Sequence, residues 1–362
     1  MQGDTRAAAY TAAGVDIAAG EQAVTLMQAA VRATFGPAVL TDVGHFSGLY
    51  NLAGPLGQVD GPTNPVLVAS ADGVGTKLRL ALVAGRHDTI GADLVNHCVN
   101  DILACGARPL FFLDYFASSK LDPAQVATVV GGVAGACRAV GCALLGGETA
   151  EMPGFYAAGD YDLAGFIVGI VTRGRMILGS AIAPGDVVLG LPAVGLHTNG
   201  YSLARRALRL DDPDAAVIRT RLAATPPGLG ATLGAVLLLP HQCYLPLVAP
   251  LLDAPDGPLV RGMAHITGGG LPGNIARILP PGTAVALDPR AWIAPPIFAL
   301  IAERGAIAAA EMPHVFNMGL GFILIAAPAQ VAAIQALVPA AGIVGRVTAR
   351  GADQPAVTLD DP

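Results

Sequence analysis

The stretch Pro65-Val66-Leu67-Val68-Ala69-Ser70-Ala71-Asp72-Gly73-Val74-Gly75-Thr76-Lys77-Leu78 constrains this chain more than any other. Its opening apolar run reads as a buried strand. Directly after it come an acid, two glycines, a hydroxyl and a lysine. Glycines let the backbone turn tightly and bring N–H groups up to an anion. Asp72 can hold a divalent cation, Thr76 and Lys77 can face phosphate oxygens, and Gly73, Val74 and Gly75 supply backbone N–H groups. Lysine is rare here: Lys77 and Lys120 are the only two, so position 77 calls for a compact point charge. The spacing Gly-x-x-x-x-Gly-Lys-[Ser/Thr] is absent, so this is not a Walker loop. An ordinary glycine-rich turn with a solvated lysine is the competing reading.

Other segments carry acids to the ends of apolar elements. From Ile90 the chain reads as a helix on which Asp93, Asn96, Asn100 and Asp101 line one side, while Leu94, Val95 and Ile102 pack elsewhere. A solvated face is the alternative. Acids without basic neighbours on an otherwise apolar helix point instead to a cation or ligand, because burying them alone is costly. A strand from Ala143 delivers Gly146, Gly147 and Glu148. Asp72, Asp93, Asp101 and Glu148, set beside glycines, fit a magnesium–phosphate site in which carboxylates hold the metal and backbone N–H groups the anion. In the second half His197, Thr198, Asn199 and Ser202 gather at a strand-to-helix junction, where they can face a ligand and His197 is an acid–base candidate. Thr267-Gly268-Gly269-Gly270 opens a helix, and such an N-terminus is a natural phosphate seat.

The remaining pattern alternates strands and helices. Helices are expected over Glu21–Thr34, Pro123–Val140 (capped by Asp122) and Pro240–Leu252, and strands over Leu110–Phe116, Tyr161–Val171 and Val187–Leu191. Gly44 to Leu52 alternates like a strand, Asp60-Gly61-Pro62 is a turn, and residues 211–235 read as a mobile surface connection. With 362 residues, 53% hydrophobic and 13% charged, the chain is a packed globular α/β protein long enough for two domains. A net charge of -6 without a basic block argues against nucleic acid. Five cysteines without Cys-x-x-Cys spacing read as buried small hydrophobes in a reducing, cytoplasmic setting. Residues 1–9 do not read as a secretory signal. The uncharged run Met312–Gly345 is broken by Pro328 and Pro339, so it reads as a strand over 321–325 and a helix over 328–337, not as a membrane span.

Taken in order, these motifs resemble the phosphoribosylformylglycinamidine cyclo-ligases, the aminoimidazole ribonucleotide synthetases of purine biosynthesis. The resemblance runs from Ala13-Gly14-Val15-Asp16 to Phe316-Asn317-Met318-Gly319. Asp101 to Pro109 carries the Asp-x4-Gly-Ala-x-Pro pattern of a wider superfamily, which includes selenophosphate synthetase and thiamine-monophosphate kinase. Narrower marks are Asp72-Gly-Val-Gly-Thr-Lys77, His87-Asp-Thr-Ile-Gly91, Gly146-Gly-Glu-Thr-Ala-Glu-Met-Pro-Gly154, Gly195-Leu-His-Thr-Asn-Gly-Tyr-Ser-Leu203 and His265-Ile-Thr-Gly-Gly-Gly270. The resemblance implies an α/β fold of two domains, 1–172 and 173–362. The first binds ATP and gives strands to a barrel shared across a homodimer; the second packs a sheet against helices. It implies ATP-dependent ring closure of formylglycinamidine ribonucleotide to aminoimidazole ribonucleotide, through an iminophosphate, with release of ADP and phosphate.

On that reading magnesium sits on Asp72, Asp101 and Glu148. ATP meets Asp72 to Lys77, Asn100, Asp101 and Gly146 to Glu148. Lys77, Asp93 and His197 serve the chemistry, and His197 to Asn199 with Thr267 to Gly270 meet the substrate, the glycine turn taking its ribose phosphate. The alternatives are another ATP-using member of the superfamily and a non-catalytic nucleotide-binding paralogue; the first cysteine, Cys98, comes too late for the N-terminal reactive residue of a selenophosphate synthetase. Departures from the family pattern are Thr11 in place of lysine, Gly44-His45-Phe46-Ser47 in place of Gly-Gly-Phe-Gly, and Pro240-His241-Gln242-Cys243-Tyr244 in place of Pro-Thr-Arg-x-Tyr. The last bears on domain or dimer packing.

Overall fold

The computed structural model describes residues 8–14, 17–42, 44–52, 64–255 and 257–359; the turn at Asp60-Gly61-Pro62 and the pair Val15-Asp16 lie outside them. In the first half, helices α1 (Ala8–Ala12) and α2 (Ile17–Arg32) precede strands β1 (Gly48–Asn51) and β2 (Pro65–Gly73). Helices α3 (Lys77–Ala84) and α4 (Ile90–Leu103) follow, then β3 (Arg108–Ser118), α5 (Pro123–Ala139), β4 (Ala143–Glu151) and β5 (Tyr161–Thr172). The second half opens with β6 (Val187–Pro192) and four helices, α6 (Tyr201–Ala207), α7 (Ala215–Ala223), α8 (Leu233–Leu237) and α9 (Leu245–Leu252). It continues through β7 (Gly262–His265), α10 (Gly270–Ala276), β8 (Thr283–Leu287), α11 (Pro296–Gly305) and α12 (Met312–Val315). It ends with β9 (Leu320–Ala326), α13 (Val331–Leu337), β10 (Gly342–Ala349) and β11 (Val357–Leu359).

The first sheet has the order β1-β2-β5-β3-β4, antiparallel except for the parallel pair β3 and β4. Strand side chains alternate between faces. Val66, Val68, Ser70 and Asp72 of β2 therefore share a face with Leu163, Gly165 and Ile167 of β5 and with Phe112, Asp114 and Phe116 of β3. Helices α4 and α5 cover this face and meet closely at Gly91. A Cβ there would stand 2.2 Å from the Val133 nitrogen and 2.3 Å from the Val129 oxygen. On the opposite face apolar residues stay open: Phe166 is 47% exposed and its register partner Leu113 38%.

The second sheet has the order β11-β8-β10-β6-β9-β7. Every residue of β9 is buried. A strand covered on both faces reads as a continuous apolar run, which explains the uncharged stretch after Met312. Among the described residues no helix is long and apolar enough to cross a membrane.

Some expectations change. Residues 211–235 are not a mobile connection: they fold into α7 and α8, which bury Ile218, Leu222, Leu233 and Leu237. Asp214 and Thr232 accept hydrogen bonds from Ala216 and Ala235 N–H and cap the two starts. Prolines and glycines around two short helices hide their periodicity. Only Leu245–Leu252 of the expected Pro240–Leu252 helix forms; residues 240–244 are non-helical. The glycine pair and Glu148, which a strand from Ala143 is expected to deliver, lie within strand β4 itself. All five cysteines are free and four are buried.

Candidate active site

Strand β2 and helix α4 build one wall of the site. Period two on β2 turns Ser70 and Asp72 toward α4. On α4, residues four apart share a face, so His97 and Asp101 turn back toward β2. Asp72 Oδ2 lies 2.7 Å from His97 Nε2, which stands 3.9 Å from Asp101 Oδ2. The Ser70 hydroxyl donates to Asp101 Oδ2 at 3.1 Å. Burial opposes charge on His97, but Asp72 and Asp101 outweigh it and raise its pKa to about 9. An imidazolium thus sits between the two carboxylates. Burial also opposes charge on Asp72, yet His97 and the Gly73 N–H hold its carboxyl below the usual range.

These residues line a polar cavity of 310 Å³, closed from the second half of the chain by Asn199, Thr267, Gly268 and Arg277. The Asn274 side chain donates to the carbonyls of Thr267, Gly268 and Gly270 and fixes the turn that opens α10. The guanidinium of Arg277, just past that helix, stacks over the Phe46 ring at 5.1 Å and makes no hydrogen bond among the described residues. Its planar fork has the geometry to bind an anion at the cavity. Sequence reasoning missed Arg277 and the place of His97. An arginine closing the helix that the glycine turn opens was the available signal.

Behind the wall four of the seven histidines gather, all buried. His97 Nδ1 lies 2.8 Å from Thr198 Oγ1, and Thr198 Oγ1 3.1 Å from His241 Nδ1. His241 Nε2 lies 2.9 Å from His265 Nε2, and His265 Nδ1 donates to Asp101 Oδ1 at 2.8 Å, so the hydrogen bonds return to the wall where they began. His197 stacks on His241 with centroids 4.2 Å apart, and neither of its ring nitrogens has a hydrogen-bond partner among the described residues. Burial pulls the pKa values of His197, His241 and His265 down, and at His265 Asp101 opposes the shift. His241 is a departure from the expected family pattern, and it stands inside this cluster.

Residues 56–171 match the family described as "AIR synthase related protein, N-terminal domain", and residues 183–357 its C-terminal counterpart. The phosphoribosylformylglycinamidine cyclo-ligase of Myxococcus xanthus is 51% identical over 352 residues, covering 96% of this chain and 98% of the relative. The chain belongs to the phosphoribosylformylglycinamidine cyclo-ligase family. Two solved structures share the fold at low identity. AaThiL complexed with AMPPCP and TMP gives a TM-score of 0.60 at 13% identity, over 93% of this chain and 92% of that one. The hydrogenase maturation protein HypE in complex with ATP gives 0.53 at 19% identity, over 94% and 91%.

Several residues that the cyclo-ligase motifs single out stand elsewhere than expected. Lys77 does not face the cavity. Its ammonium is buried and donates to Asp93 Oδ1 at 2.8 Å, to the Leu239 carbonyl at 2.6 Å and to the His197 carbonyl at 3.4 Å. Three acceptors use all three of its donors, which leaves none for a phosphate. Asp93 also accepts from the His241 N–H at 2.7 Å and does not line the cavity. Burial pulls Lys77 down and Asp93 up, while their ion pair opposes both shifts. Asn100 donates to the Gln242 carbonyl and accepts from Tyr244 N–H; Asn96 donates to the His241 carbonyl.

The polar face of α4 is therefore largely a docking strip. Non-helical backbone at 239–244 has N–H and C=O groups that need partners, and α4 supplies them. Only His97 and Asp101 of that face reach the cavity. In the Asp72 loop Val74 is buried, Gly75 takes φ 68°, and the Thr76 hydroxyl meets Ser202 Oγ at 3.1 Å. This loop braces the two halves of the chain together. Gly269 and Gly270 shape the α10 turn with φ 89° and 60°. Gly270 backs onto Pro313, whose carbonyl a Cβ would meet at 1.9 Å, so of the three glycines only Gly268 lines the cavity.

Glu148 is not brought to Asp72 and Asp101 within one chain. It pairs with Tyr115 on edge strand β4, three strand spacings from β2 or roughly 14 Å. It also points to the open face of the sheet, opposite to Asp72. Gly147 takes part in strand packing: a Cβ there would lie 1.9 Å from Asp114 Oδ1.

Proposed function

We propose that the cavity between β2, α4 and the α10 turn carries out ATP-dependent ring closure of formylglycinamidine ribonucleotide to 5-aminoimidazole ribonucleotide. The observation that carries this is the convergence of Asp72 and Asp101 with Arg277 and Gly268 around one cavity in a member of the cyclo-ligase family. The amide oxygen of the substrate is a poor leaving group. Transfer of the γ-phosphoryl group to it gives an iminophosphate and ADP. The amidine-derived nitrogen then forms the C–N bond, the C–O bond breaks, and phosphate and a proton leave.

Arg277 offers a fork for phosphate oxygens, and the Gly268 turn offers backbone. Asp72 and Asp101 suit Mg2+, a hard cation that takes oxygen ligands. Each carboxylate has lone pairs beyond its hydrogen bonds to Gly73, His97, Ser70 and His265. Magnesium held there would neutralise charge on the transferring group. His197 and Asp93 do not line the cavity; Asp72, His97, Asp101, Asn199, Thr267 and Arg277 do, and these are the side chains we assign to the reacting groups.

We also read the chain as a homodimer of two-domain protomers, divided near residue 172. The open apolar face of the first sheet, with Phe166 and Leu113, supports this, since joining two such faces closes a barrel. Glu148 lies on that face. The functional test is phosphate release from Mg-ATP with formylglycinamidine ribonucleotide present. Release that depends on that substrate and yields aminoimidazole ribonucleotide supports the assignment. Release with ATP alone, or only with a different acceptor, refutes it in favour of another reaction of the superfamily.

A further inference from the structure

One nitrogen from each of His197, His241 and His265 lies within 4.8 Å of the other two, and all three side chains are buried. Two of the rings are already held as metal-bound histidines usually are, with the outer nitrogen tied to an oxygen and the inner one directed at the ion. His265 Nδ1 is held by Asp101 Oδ1 and His241 Nδ1 by Thr198 Oγ1, and the two Nε2 atoms face each other 2.9 Å apart. Without an ion, a proton on one Nε2 holds the pair together. That proton does nothing for His197. Both nitrogens of this third ring are buried without a hydrogen-bond partner among the described residues, beside a pair whose donors and acceptors are already used. The loop holds His197 at φ 62°, a left-handed conformation that a side-chain-bearing residue seldom adopts without a local reason.

We propose that His197, His241 and His265 form a site for an imidazole-preferring divalent cation of the zinc type. Zn–N bonds of about 2.0–2.1 Å at tetrahedral angles place nitrogens about 3.3 Å apart. The facing Nε2 atoms need to part by only a few tenths of an ångström, and the His197 ring has to swing in. Three protein ligands leave a fourth position open. Neutral imidazoles suit zinc, nickel and cobalt, whereas magnesium prefers the carboxylates. Asp101, which stands behind His265, also lines the cavity and so marks a way in. The bound ion would clamp the 197–200 loop, the 240–244 segment and β7 to one another. Its third ligand, His241, occurs here because this chain departs from the expected threonine.

The test uses the untagged full chain, stripped with a chelator and titrated with Co2+. It reads metal content and not turnover, so it is independent of the cyclisation assignment. One Co2+ per chain is expected, with the visible absorption of a nitrogen-ligated four-coordinate ion, and undisplaced by about 100-fold excess Mg2+. His241→Thr should lower the affinity by at least about 100-fold, and Thr198→Val, which keeps all three ligands but removes the hydroxyl between His241 and His97, by about 10–100-fold. His87→Gln, outside the cluster, should bind like the parent. Failure of the parent chain to take up Co2+ stoichiometrically, displacement by magnesium, or unchanged affinity in both cluster variants overturns the proposal.

Discussion

Asp101 is where the wall of the cavity and the histidine cluster meet. One of its oxygens accepts from His265 and the other from Ser70. Asp101→Asn removes charge from the site with little change in shape. Turnover should fall by at least about 100-fold, as when one group stabilising transition-state charge is lost, with an unchanged far-UV spectrum. Unchanged turnover would remove Asp101 from the chemistry. Lys77 belongs to stability instead. Lys77→Met strands a buried Asp93 charge, at a cost of about 3–5 kcal/mol, and Lys77→Met/Asp93→Asn should recover more than half of it in denaturant melts. Asp114 gives a pH test. Burial without a cationic partner among the described residues raises its folded pKa, so its charging cost is absent below the unfolded value of about 3.9. That cost grows as pH rises from the unfolded value to the folded one and is complete above it. Asp114→Asn should therefore melt above the parent at pH 7, with the gap closing near pH 3.

At the scale of elements, α4 organises the molecule. Its apolar side packs on β2, β3 and β5, and its polar side holds the 239–244 segment and presents His97 and Asp101. Its position depends on Gly91, which lets α5 pass at backbone contact. Gly91→Ala puts a methyl group against backbone atoms that cannot rotate away. The cost should reach about 3 kcal/mol, the upper end of overpacking, visible as a lower melting temperature or loss of soluble protein. The sequence pattern located α4 and its polar stripe. It did not show what faced the stripe, because non-helical backbone across an interface leaves no periodic signal. The α7 and α8 helices were missed for a related reason: each is too short to repeat its apolar spacing.

For the whole molecule, the open face of the first sheet has consequences. A sheet with α4 and α5 on one side and exposed Phe166, Leu113, Leu110 and Leu145 on or beside the other calls for a second covering layer. Phe166→Glu places a charge on that face and should convert a dimer into monomers in sedimentation experiments. If the parent chain sediments as a monomer, the shared barrel is ruled out.

By itself the sequence determined the strand-and-helix order, the packed core, the family, and two carboxylates that meet at the cavity, Asp72 and Asp101. Those features are local: alternation, helical spacing, and acids beside glycines in ordered motifs. Only the tertiary structure decided which polar residues reach the cavity. It sent Lys77, Asp93 and Asn100 to the seam, set Glu148 apart at the sheet edge, brought Arg277 and His97 to the cavity, and placed His241 behind it. The physical reason is that burial and hydrogen-bond demand are settled between elements. A buried polar side chain serves whichever neighbour leaves a donor or acceptor unpaired, and that neighbour is named by the fold.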